Sequence, residues 1–264
     1  MQIGSGTRAL VTGASRGIGR AVAHALADRG AIVGLAARST SDLEALALEL
    51  PGAHHPLPCD VALPASIATA TEEFAAAAGG LDLLVANAGI AYYEPIVTQS
   101  LDKIELMTEV NWLGTVYTVK AALPFLLEGA GGHIVVMSSG AGLRGFPGAA
   151  AYSATKAAQR MFAEALRHEL AGTGVSVTTV YPGEIRTSLH DHEGTQMPQW
   201  YRGGPNAAAA EALAGRILTA VERDSRHLHY RPVVKHMGTL TGLSPGIADR
   251  VLRRRRGDTA APRR

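Results

Sequence analysis

Cysteine is nearly absent from this 264-residue chain. Cys59 stands alone, so no intrachain disulfide can form, and a reducing, cytoplasmic setting is expected. Long apolar runs are also missing. No stretch approaches the ~18 residues of a spanning helix, and the N-terminus has no basic segment followed by a long apolar one. A soluble protein without a secretory leader is therefore expected. Charge is close to balanced, 25 lysines and arginines against 23 carboxylates, which gives no signal for a nucleic-acid partner. Neither an internal repeat of solenoid length nor a long linker interrupts the chain. The length suits one α/β domain with a large core better than two domains.

What is present is alternation. Short apolar or β-branched runs at 9–11, 31–36, 55–59, 81–86, 133–137 and 175–181 are separated by helical patterns at 17–29, 41–50, 64–78, 101–127, 149–171 and 206–224. Near-continuous apolar strands between helices predict a mainly parallel sheet covered on both faces, and right-handed crossovers make it doubly wound. The expected fold is a single-domain Rossmann fold of about seven strands. In such sheets ligands sit beyond the carboxyl ends of the strands, where Gly13, Asn87, Ser139 and Pro182 all fall.

The run Thr12-Gly13-Ala14-Ser15-Arg16-Gly17-Ile18-Gly19 lies between a predicted strand and a predicted helix. Free backbone N–H groups and the helix dipole make that turn an anion site, suited to a pyrophosphate. Its spacing, G-x-x-x-G-x-G, only approximates the general dinucleotide fingerprint. At the end of the second strand, a carboxylate would accept from a ribose 2′-OH and repel a 2′-phosphate. The chain instead reads Leu35-Ala36-Ala37-Arg38-Ser39, and Arg16 offers a second guanidinium from the turn. Planar donors of this kind suit a phosphate, so NADP(H) is the expected cofactor.

Tyr152 and Lys156 are four residues apart, neighbours on a helix face. A phenol titrates near pH ~10 until an adjacent cation stabilises the phenolate, and Lys156 is placed to be that cation. Ser139, upstream at a strand end, is placed to donate to a carbonyl oxygen, with Ser138 as its rival.

Together these residues resemble the short-chain dehydrogenase/reductase family over nearly the whole chain. T-G-x-x-x-G-x-G, Asn87-Ala88-Gly89, Asn111, Ser139, Tyr152 with Lys156, and Pro182-Gly183 follow the family's order and approximate spacing. Ala86 departs from it, since many members carry a second asparagine there. The resemblance favours Ser139 over Ser138 and implies that Lys156 also bonds the nicotinamide ribose. It implies that Asn87 supports the cofactor, that Asp60 and Val61 meet the adenine, and that the Asn111 main chain bends its helix and holds a water in a proton relay. It puts Pro182 and Gly183 against the nicotinamide, with Ile185 on the ring face and Thr187 on the carboxamide. It also implies a homodimer or homotetramer paired through the helices at 101–127 and 149–171.

The polar, glycine- and proline-bearing segment at about 184–205 is expected to cover the substrate, with Met197, Trp200 and Tyr201 in it. Tyr92, Tyr93, Leu143 and Phe146 complete the expected pocket wall. No metal site is expected: His190-Asp191-His192-Glu193 lacks histidines at helical i, i+4 spacing. Residues 1–235 form the expected catalytic unit and 236–264 an extension. Its arginine-rich end, Arg253 to Arg256, is read as a solvated face or frayed tail in preference to a membrane-surface helix.

The function these signals predict is NADP(H)-dependent interconversion of a ketone or aldehyde and an alcohol. Reduction of a 3-oxoacyl thioester is the competing enzyme reading, and the atypical C-terminal extension counts against it. A dinucleotide sensor or scaffold without chemistry is the reading of another class, opposed by the intact Ser139, Tyr152 and Lys156.

Overall fold

The computed structural model describes residues 1–129, 131–187, 189 and 207–256. Its parallel strands are β1 (Arg8–Thr12), β2 (Ile32–Ala37), β3 (His55–Pro58), β4 (Leu83–Ala86), β5 (Gly132–Met137), β6 (Val175–Tyr181) and β7 (His227–His229), in the order β3-β2-β1-β4-β5-β6-β7. The chain direction of winding reverses between β1 and β4, so the loops that follow them part and open a crevice at the carboxyl edge.

Successive strand residues serve opposite faces, as the pleat requires. Ala9 and Val11 of β1, Leu83 and Val85 of β4, and Val135 and Met137 of β5 join one core with helices α1 (Gly17–Ala27), α2 (Thr40–Glu49) and α7 (Ala210–Glu222). Leu10, Leu84, Ile134 and Val136 join the other, beneath α3 (Pro64–Ala78), α5 (Gly114–Glu128) and α6 (Ala150–Glu169). These strands are buried on both sides, which is why their sequence shows continuous apolar runs. Gly34, in the middle of β2, is required by close approach, since a Cβ there would lie 2.7 Å from Cδ2 of the Phe74 ring. The Arg8–Asp82 ion pair fastens β1 to the start of β4, with Asp82 also accepting from the Arg8 N–H at 2.8 Å.

The doubly wound fold follows the sequence closely, with three differences. The helix predicted over 101–127 is α4 (Leu101–Met107) and α5, joined by a π-helical turn, Thr108–Leu113, that contains Asn111. The helix predicted from 206 begins at Ala210, because Ala208 instead pairs in extended conformation with Ile185. The extension forms two helices, α8 (Pro232–Leu243) and α9 (Pro245–Arg256), and the expected division at 235/236 falls inside α8. Pro232 at its first position places the helix start earlier, as proline at N1 does.

Phe74 is fully buried and lies against both Gly34 and the His55 ring. Phe74→Ala should lower stability by about 3–5 kcal/mol. A loss under ~1 kcal/mol in denaturant titration would contradict this packing.

Candidate functional site

The glycine-rich turn is held by the loop after β4. Gly13 and Gly17 take left-handed φ values of +67° and +57°, which glycine adopts without a Cβ penalty. Asn87 Nδ2 donates to the carbonyls of Thr12 (2.9 Å) and Gly13 (3.3 Å), while Thr12 Oγ1 accepts from the N–H groups of Asn87 (3.1 Å) and Ala88 (3.2 Å). A Cβ on Gly19 would fall 2.1 Å from the Gly13 oxygen, so the first turn of α1 can lie on the loop only as glycine. The α1 N-cap, Arg16, makes no side-chain cap bond, and no carboxylate sits in the first turn. The positive end of this helix is therefore left for an external anion. Ser15 and Ile18 are half-buried in the same turn.

The Ala14 N–H donates to the Ala36 carbonyl at 3.2 Å, which brings the turn beside the end of β2. Arg16 and Arg38 are both exposed there, and neither forms an ion pair with a described residue. Ser39 caps α2 through Asp42 N. Asp60 Oδ1 accepts from Ala62 N at 2.9 Å, and Val61 is buried against Gly114. Burial pushes the neighbouring Cys59 thiol up to about 11, so it is a core side chain and no nucleophile.

Across the crevice, α6 presents Tyr152, Lys156 and Gln159 on one buried face. Lys156 Nζ donates to the Met137 carbonyl at 3.0 Å and lies 5.8 Å from the centre of the Tyr152 ring. Burial pushes its ammonium down to about 7. Near neutrality this group can therefore lose its charge, where a solvated lysine would keep it. Ser138 donates its hydroxyl proton to the Lys156 carbonyl at 2.7 Å, which commits it to holding α6 on β5. Ser139 Oγ accepts from Ala141 N at 3.1 Å and keeps its own proton to give. This separates the two rival serines by what each already bonds.

Asn111 is fully buried. Its Oδ1 accepts from Ile90 N (2.8 Å), and its Nδ2 donates to the Ile90 carbonyl (2.9 Å) and to Thr155 Oγ1 (3.1 Å). Its main-chain carbonyl accepts from Gln159 Nε2 (2.8 Å) and Thr115 Oγ1 (2.7 Å). The group given to a relay water by family resemblance therefore already has two donors. Gln159, Thr115 and Thr155 were missed in the sequence, although the 152, 156, 159 spacing puts Gln159 on the Tyr152 face. A Cβ on Gly89 would lie 3.2 Å from Asn111 Oδ1 and 3.4 Å from Lys156 Nζ, so the Asn-Ala-Gly loop also borders the lysine.

Tyr93 packs edge-on against Tyr152, ring centres 5.5 Å apart, in a cluster with Tyr92, Met107, Phe146 and Leu189. Leu143 lies against α8, its Cδ1 3.2 Å from where a Cβ on Gly238 would be. Pro182 accepts from Gly140 N at 2.9 Å, joining the loops after β5 and β6, and Val234 of α8 packs over Gly140 and Gly183. Ile185 is buried, and Thr187 reaches the turn at Gly17, whose added Cβ would be 3.3 Å away. Met197, Trp200 and Tyr201, like His190 to Glu193, lie outside the described residues. Among the described residues no cluster of three His, Cys, Asp or Glu is formed.

Residues 7–198 match the short chain dehydrogenase family. The chain belongs to that family. It is an oxidoreductase. An uncharacterized oxidoreductase of Myxococcus xanthus is 41% identical over 193 residues, 72% of this chain and 76% of the relative. The mouse dehydrogenase/reductase SDR family member 7B is 32% identical over 255 residues, 92% and 79% of the two chains. Two solved Burkholderia short-chain dehydrogenases align over nearly the full length. The B. phymatum enzyme in complex with NAD has TM-score 0.85 and 25% identity, covering 99% of this chain and all (100%) of the other. The B. cenocepacia enzyme in complex with NADP has TM-score 0.80 and 26% identity, covering 98% and 100%.

Lys156 also sets a pH dependence. Between about 7 and the ordinary 10.5, the unfolded chain carries the ammonium and the folded cofactor-free protein does not. The unfolded state then binds more protons, so stability climbs with pH across that window. Urea unfolding of the cofactor-free protein at several pH values should show this rise, and Lys156→Met should remove it. Parallel profiles for the two proteins would contradict the assignment.

Proposed function

We propose that this short-chain dehydrogenase uses NADP(H) to interconvert a ketone or aldehyde and an alcohol, with Tyr152 as the acid/base. The observation that carries the reading is the buried Tyr152–Lys156 pair, bordered by Ser139 after β5 and by Gly89 after β4. The residues present fit a nicotinamide dinucleotide: an uncompensated helix N-terminus behind a glycine turn, and exposed guanidiniums beside it. A bound dinucleotide would supply or accept the hydride.

The chain's own groups do the rest. The turn from Gly13 to Gly19 would hold the pyrophosphate on backbone N–H groups, with Asn87 fixing its shape. Arg16 and Arg38 would take the 2′-phosphate by charge-assisted hydrogen bonds. Asp60 and Val61 would meet the adenine, and Ala88 and Gly89 the cofactor's edge near Lys156. Pro182, Gly183, Ile185 and Thr187 would flank the nicotinamide. In reduction, Ser139 Oγ–H would donate to the carbonyl oxygen, and Tyr152 would give its proton to the developing alkoxide. The Lys156 ammonium would stabilise the phenolate left behind. Tyr92, Tyr93 and Phe146 would give the pocket an aromatic wall suited to an apolar substrate.

Because one solved relative is complexed with NAD and another with NADP, the cofactor choice rests on this chain's own arginines. A carbonyl panel with NADPH oxidation as readout tests the reading. Turnover of at least one ketone or aldehyde is expected, and NADPH binding without consumption across the panel would favour a sensor. On that substrate NADPH should be preferred to NADH by at least about tenfold in kcat/KM, or ~1.4 kcal/mol, and Ala37→Asp should erode the preference. Parity between the cofactors would overturn the assignment.

A further inference from the structure

The charge of this chain is divided unevenly. Residues 231–264 carry nine lysines and arginines against two aspartates, whereas the preceding 230 residues carry sixteen against twenty-one carboxylates. A near-neutral protein thus consists of an acidic body and a strongly basic C-terminal end. One of the two aspartates, Asp249, is already paired with Arg144 of the body.

α8 has two faces. Val234, Gly238 and Thr241, at spacings of four and three, turn inward: Val234 onto Gly140 and Gly183, Gly238 onto Leu143, and Thr241 to Arg144 Nη1 at 3.2 Å. Val233, His236, Leu240 and Leu243 follow a different stripe at spacings of three and four. Val233 is 53% exposed and Leu243 81%, and Ile247 at the start of α9 is 50% exposed. Such side chains leave apolar area in water on the same two helices that carry Arg250 and Arg253 to Arg256. Apolar side chains among many arginines match an interfacial helix, whose apolar side enters the headgroup region while its cations meet acidic lipids. A nucleic acid would use the arginines and leave Val233, Leu243 and Ile247 without a partner. A second copy of the chain would set two basic ends against each other.

We propose that α8 and α9 dock this protein on an anionic lipid surface. The inner side of α8 packs on the loops after β5 and β6, so docking turns the catalytic edge of the sheet toward the lipid. Among the described residues no helix is long and apolar enough to cross a membrane, and the docking proposed is on the lipid surface. The inference goes beyond the redox reading and does not depend on it, because binding is read without turnover.

The test is co-sedimentation of the full chain with phosphatidylcholine vesicles, with and without about 30% phosphatidylglycerol. Binding to the anionic vesicles should exceed binding to the neutral ones by at least about tenfold and should fall in ~0.5 M salt. Replacing Arg253, Arg254, Arg255 and Arg256 by Gln should weaken it about tenfold or more. The pair Val233→Gln and Leu243→Gln should weaken it several-fold at low salt, with an unchanged melting temperature showing that the body stays folded. Absence of binding to anionic vesicles at low salt would overturn the proposal. So would arginine-dependent binding indifferent to Val233 and Leu243, which would identify a general polyanion tail, including one for nucleic acid.

Discussion

Lys156 is wholly enclosed, and its ammonium has the Met137 carbonyl as a direct acceptor. Removing an ammonium from water is expensive, and the drop of its pKa to about 7 expresses that cost. Much of the surrounding structure serves to hold the group there. Ser138 ties the Lys156 carbonyl to the end of β5, Gly142 comes close to that same carbonyl, and Gly89 closes over the Nζ. The π-helical turn at Thr108–Leu113 gives Asn111 the register to bond both Ile90 and Thr155. The ends of β4 and β5 therefore converge on one face of α6. An ammonium kept in such a place gives up its charge well below the ordinary lysine range.

The opposite wall is built on other physics. The glycine turn requires backbone approaches that no Cβ would permit, and Asn87 with Thr12 locks it by four hydrogen bonds across β1 and β4. A glycine turn at an uncompensated helix end faces a buried phenol and a desolvated ammonium. In the proposed function the first would select the cofactor by charge and shape, and the second would move the proton. Between them Tyr93 and Phe146 pack around Tyr152, limiting water at the phenol.

Much of this was legible in the sequence. Doubly buried strands leave continuous apolar runs, and the spacing of Gly13, Gly17 and Gly19 marks the turn because sterics forbid substitution there. The Tyr152–Lys156 pair shows itself through helical periodicity. What escaped notice depends on tertiary contact. The π-helical turn has no local signature in Thr108–Leu113, since it is set by Asn111 finding Ile90 and Thr155 from distant segments. Gln159 reads as an ordinary polar helix residue until α6 is laid against α5 and its amide meets the Asn111 carbonyl. Ser138 and Ser139 are indistinguishable as neighbours in sequence, and separate only when Ser138 is seen to be spent on Lys156. The contact of Leu143 with Gly238 is likewise hidden in the sequence, because Gly238 lies in a helix not predicted there.

The phenol of Tyr152 is the group on which the proposed chemistry depends. Tyr152→Phe keeps the ring and its edge-on packing with Tyr93, so the fold and the NADPH dissociation constant should be nearly unchanged. The direct measurement is the single-turnover rate of that variant on a verified carbonyl substrate, taken with its cofactor affinity. A fall of roughly 10² or more at unaltered NADPH affinity is the predicted result. A rate close to that of the parent protein would show that the proton comes from elsewhere and that the buried Tyr152–Lys156 pair is not the acid/base centre.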